Sequence, residues 1–145
     1  MAADTAVVTI THAIQQAVAP VFLLAGIGAL LNVLTNRLAR IIDRSRNLHA
    51  RLEMLGEERS ATVHDELGVL SQRARIVNRA IGFGTISALL VCTVIATLFM
   101  SALAEWKGAY LVAGLFIMAM LCLIISLCSF LREIQLGTRV ILNGP

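Results

Sequence analysis

Hydrophobic and polar residues are sorted along this chain into blocks rather than mixed. "AVAPVFLLAGIGALLNVLTN" at 17–36, "AIGFGTISALLVCTVIATLFMSALA" at 80–104 and "AYLVAGLFIMAMLCLIISLCSFL" at 109–131 are almost wholly apolar. About 20 such residues cross a hydrocarbon layer of about 30 Å, so each block predicts a transmembrane helix. Only "EWKG" at 105–108 separates the last two blocks, which predicts a tight turn. Between the first two the period changes. Leu34, Leu38, Ile41, Ser45, Leu48, Leu52 and Leu55 recur at alternating spacings of four and three. After "GEER" the pattern returns in Val63, Leu67, Leu70, Ala74, Val77 and Ile81. Heptad spacing on both sides of a Gly-containing turn predicts an antiparallel coiled-coil hairpin over 37–79. No breaker interrupts residues 21–46, so the first span continues into the outgoing arm as one helix.

Composition turns this pattern into a class. Apolar residues make up 58% of the 145, charged ones 14%, and the mean hydropathy is +0.83. Soluble domains sit nearer about 45–50% and about 25%. The expected fold is an all-α integral membrane protein with three transmembrane helices, its first two spans extended into a cytoplasmic hairpin.

The basic residues set its orientation. Nine of the twelve lie in 37–79, one (Lys107) in the short turn, and Arg132 and Arg139 follow the third span. The positive-inside rule then places 37–79 and the tail 132–145 in the cytoplasm, with 1–16 and 105–108 outside. Trp106 and Tyr110 fall where interfacial aromatics are expected. No basic residue precedes Arg37, so the first span lacks a signal peptide's basic region and reads as a retained anchor. Cys92, Cys122 and Cys128 lie within spans and read as small apolar residues.

Candidate chemistry is sparse. Gly28, Asn32, Asn36 and Arg40 recur once per turn and form a narrow polar stripe. A side-chain amide in lipid without a hydrogen bond costs a few kcal/mol, so the stripe should face protein or water. Three destinations are open: a hydrogen bond to another span (Thr85 or Ser87), a subunit interface, or the lining of a pore. Ala25 and Ala29 offer a small-residue contact beside it, and Ala80, Gly84 and Ala88 a second on the next span. Thr93, Thr97 and Ser101, and Cys122, Ser126 and Ser129, read as packing or back-bonded positions.

On the hairpin, Arg37, Arg44 and Arg51 repeat every seven residues beside the seam, opposite Arg59, Glu66 and Arg73, and Glu66 can bridge to Arg44 or Arg51. This basic face suits membrane anchoring, an anionic-lipid contact, or the charged mouth of a ring. His49 and His64 share a flanking register, and two facing imidazoles would repel once protonated, a candidate pH sensor.

No Asp, Glu, His, Lys or Arg lies inside any span. Coupled carriers and intramembrane hydrolases normally need such groups at depth, so neither an enzyme nor a transporter is expected. No cofactor, metal or nucleic-acid motif is present.

"APVFLLAGIGALLNVLTNRLARIIDRSR" together with "FLREIQLGTR" resembles a small bacterial membrane-protein family, domain of unknown function 2721. The resemblance covers nearly the whole chain. It implies a bacterial inner-membrane setting and three spans, and it implies no activity. Two functions stay open. One is a homo-oligomeric, ion-conducting pore lined by the first span. The other is a non-conducting scaffold or sensor whose hairpin docks a partner.

Overall fold

A computed structural model describes the backbone of residues 2–52, 57–104 and 108–142, and these are helical throughout apart from Gly108. The elements are α1 (Ala2–Leu52), α2 (Glu57–Ala104) and α3 (Ala109–Leu142). The hairpin tip at Leu55 and Gly56 and the turn residues Trp106 and Lys107 lie outside the described residues, as do the side chains of Leu52, Arg59 and Arg139.

Each helix outruns its apolar block. Nothing before Pro20 breaks a helix, and residues 2–16 lie in the same helix as the first span. Pro20 sits buried inside α1. It has no N–H to give the Gln16 carbonyl, a loss that neighbouring helices make tolerable in apolar bundles. At its other end α1 carries His49 and Arg51 in the last turn, the arginine a cation at the negative end of the helix dipole. α2 begins at Glu57. The Gly108 carbonyl accepts from Val112 N at 3.1 Å and starts α3, which continues past the apolar block to Leu142.

All three helices are long and apolar enough to cross a membrane. Only 22%, 17% and 11% of their most apolar windows are buried within the chain. Phe22, Leu89, Met100 and Leu103 all face outward. So much apolar surface suits lipid rather than water as the solvent.

The helices form two compact units, each built from pieces of all three. The first comprises residues 1–30 and 83–124. Its buried positions are Ala13, Ala17, Pro20 and Ile27 on α1, Gly84, Ser87, Val91 and Val94 on α2, and Ala119 and Cys122 on α3. Small residues dominate, which lets backbones approach closely. The Ser87 hydroxyl uses that proximity to donate to the Ala119 carbonyl at 2.8 Å.

The second unit comprises residues 31–82 and 125–145. Leu34, Leu48, Leu70, Val77, Ala80, Ser126 and Glu133 are buried here, and Leu38, Ile41, Ser45, Val63, Leu67, Ala74 and Ile81 are half-buried. Every described position that the alternating spacing marks on α1 and α2 is thus buried or half-buried, although Leu31, Arg37, Glu66, Arg73 and Ile76 are half-buried as well. Ser126 donates to the Ala80 carbonyl at 2.7 Å, the counterpart of the Ser87 bond.

Candidate functional site

Two arrangements stand out from this packing, one on the face of α1 and one at the start of the charged part of α3. The first is the polar stripe. Asn32, Asn36 and Arg40 are all exposed. The Asn36 Nδ2 donates to Asn32 Oδ1 at 3.4 Å, one turn away. That bond uses one of the pair's four N–H donors and one of its two carbonyl oxygens, and neither amide finds a further side-chain partner among the described residues. Ser87, a suggested partner from the sequence, gives its hydroxyl to Ala119 instead.

Thr35 beside them shows what a lipid-compatible polar residue does. Its hydroxyl returns to the Leu31 and Asn32 carbonyls at 3.0 Å each. Thr93, Thr97 and Ser129 do the same toward Leu89, Thr93 and Ile125. A hydroxyl can satisfy itself within its own helix. An asparagine amide, with two N–H groups and a carbonyl, cannot do so fully.

The small face of α1 is also open. Ala25 and Ala29 are exposed, and a Cβ placed at Gly28 would meet nothing within 4 Å. By contrast Ala80 and Gly84 are buried and Ala88 is half-buried, so the second small-residue stripe is consumed by packing inside the chain.

The other arrangement was not singled out by the sequence reading. Glu133 is 1% exposed, seven residues after Ser126 on the same face of α3. Its Oε2 accepts from Arg37 Nη1 of α1 at 2.9 Å, and its Oε1 accepts from Arg73 Nη2 of α2 at 2.7 Å. The Arg37 guanidinium also lies 5.1 Å from the centre of the Phe130 ring, a cation–π contact. One carboxylate thereby ties together all three helices of its unit. Arg73 Nε is buried without a hydrogen-bond partner among the described residues. The signal available in the sequence was that Glu133 is the only acidic residue after Glu105, placed on a seam of small residues.

The hairpin arginines divide accordingly. Arg37 is taken by Glu133. Arg44 holds Glu66 Oε1 through Nε at 3.2 Å and Nη2 at 2.5 Å, so Glu66 bridges to Arg44 and not to Arg51. Arg51 is exposed and lines a cleft with Asn47 and Leu48. His49 donates from Nδ1 to the Ser45 carbonyl of its own helix at 2.9 Å. His64 is exposed, and no hydrogen bond joins the two rings.

Fold and site together define a three-helix protein built for a lipid surround, with polar chemistry gathered on α1 and in the charged unit. Residues 17–142 match the family described as "Protein of unknown function (DUF2721)", and the chain belongs to that family. No curated protein and no solved structure matches it.

Proposed function

We propose that this protein assembles with copies of itself in a bacterial inner membrane and conducts ions through a pore lined by α1. The observation that carries the reading is the exposure of Asn32 and Asn36 on a helix otherwise suited to lipid. Their amides reach little but each other, so the chain alone leaves them facing hydrocarbon at a cost of a few kcal/mol. A second copy, or water in an axial path, removes that cost. Open small residues at Ala25, Gly28 and Ala29 supply a surface on which helices of neighbouring copies can approach closely. Three helices are too few to enclose a path, so conduction requires the oligomer.

In this arrangement the N-terminus lies outside. The basic segment 37–79, as an antiparallel coiled coil, and the C-terminus lie in the cytoplasm. The distribution of arginines along the chain supports that orientation. Labelling of single cysteines at positions 107 and 56 from either side checks it.

The decisive experiment combines light scattering of the purified full-length protein with conductance in planar bilayers. An oligomer with unitary currents is expected. Ala29→Leu should shift it to smaller species, and Asn32→Leu with Asn36→Leu should abolish the current. A monodisperse monomer overturns the reading. An oligomer that never conducts gives preference to the scaffold whose hairpin docks a partner.

A further inference from the structure

With Arg37, Arg44 and Arg73 held by carboxylates, the unbalanced positive charge of the second unit lies elsewhere. Gln72, Arg75, Ile76 and Arg79 of α2, together with Arg132 of α3, line a cleft of about 310 Å³. The α2 residues follow the spacing 72, 75, 76, 79, one face over two turns. Arg75, Arg79, Arg132 and Gln72 are all exposed. No carboxylate lines the cleft, and among the described residues none of the three arginines is in an ion pair. Glu133, the neighbour of Arg132, is committed to Arg37 and Arg73.

Such a cluster is unfavourable on its own. Like charges one turn apart on a helix repel, and a third guanidinium adds to the repulsion. An anion with several oxygens relieves it, and guanidinium groups suit phosphate because their N–H groups bind it two at a time. Position narrows the choice of anion. Arg79 immediately precedes the apolar run starting at Ala80, and Arg132 immediately follows the one ending at Leu131. Both therefore belong at the level where lipid headgroups end and acyl chains begin. The cleft also presents Ile76 as an apolar wall beside its charges.

We propose that Gln72, Arg75, Arg79 and Arg132 form a binding site for the phosphate headgroup of an anionic phospholipid, whose acyl chains run down the apolar surface beyond Ala80 and Leu131. The site is separate from the polar stripe of α1 and does not depend on whether the protein conducts.

The test uses delipidated full-length protein in a neutral detergent, titrated with phosphatidylglycerol or phosphatidylcholine and read by native mass spectrometry. Phosphatidylglycerol should bind at least roughly ten-fold more tightly, since each surface arginine contributes appreciably to anionic-lipid attraction. Replacing the three arginines (Arg75→Gln, Arg79→Gln, Arg132→Gln) should remove that preference. A variant losing the same charge elsewhere (Arg46→Gln, Arg59→Gln, Arg139→Gln) should retain it. Circular dichroism checks that the triple variant stays helical. If it does not, the single Arg132→Gln substitution carries the test, with a loss of roughly three-fold or more.

Equal binding of the two lipids overturns the proposal, as does equal weakening by the charge-matched variant, which would mean diffuse attraction. Displacement of phosphatidylglycerol by equimolar inorganic phosphate would assign the cleft to a soluble anion and overturn the lipid assignment.

Discussion

The two units are made from the same three helices but held by different chemistry. In residues 1–30 and 83–124 the helices meet through Ala13, Ala17, Gly84 and Ala119, and a serine hydroxyl, that of Ser87, bonds a carbonyl of the neighbouring helix. In residues 31–82 and 125–145 a buried carboxylate gathers two arginines, and Arg44 with Glu66 adds an exposed pair. Small residues and hydroxyls add cohesion without putting a charge into an apolar interior, where desolvation is costly. Charged side chains reach across wider gaps and fix which helix meets which. The contrast assigns close approach to one unit and specific pairing to the other.

The largest expected effect tests the pairing. Glu133→Gln keeps the shape but leaves Arg37 and Arg73 without a countercharge. Breaking a buried pair on one side typically costs about 3–5 kcal/mol, and the partial exposure of both arginines favours the lower end. Thermal unfolding in detergent, followed by circular dichroism, should show a loss of about 3 kcal/mol. A variant as stable as the parent would dissolve the contrast.

A middle-sized effect belongs to the hydroxyls. Ser87→Ala and Ser126→Ala each remove a bond whose acceptor is a backbone carbonyl within a helix, so about 1 kcal/mol should be lost in each case by the same measurement. If Ser87→Ala cost as much as Glu133→Gln, the apolar unit would depend on polar pairing as heavily as the charged one.

Arg44→Ala should matter least. Both partners are exposed, the side chains at 68% and 38%, so the loss should stay under about 1 kcal/mol and shrink in high salt. A loss undiminished at 1 M salt would place this pair with the shielded chemistry of Glu133.

Much of the fold was legible in the sequence because it rests on local repetition. Apolar block length predicts the three spans, and the four-and-three spacing from Leu34 to Ile81 marks positions that are shielded. The mutual bond of Asn32 and Asn36 was not among the destinations expected for the stripe, although their spacing of one turn permits it. Other features depend on which segments meet. Arg37 and Arg73 lie 96 and 60 residues from Glu133, and heptad register alone gives no reason for either to prefer it over nearer carboxylates. The helical state of residues 2–16 turned on the absence of a breaker, a weaker signal than a positive one. The open state of Ala25 and Ala29, against the buried state of Ala80 and Gly84, could not be read from composition, because both are the same kind of stripe.

The shared carboxylate also has a consequence for synthesis. A ribosome makes Arg37 and Arg73 well before it makes Glu133, so for the interval between them the growing chain carries two guanidinium groups whose common partner does not yet exist. The third helix brings that partner only as it is completed. A chain stopped anywhere short of residue 133 keeps both arginines uncompensated, however well its first two spans have inserted. The arrival of residue 133 is thereby registered as a change in charge at one point of the second unit.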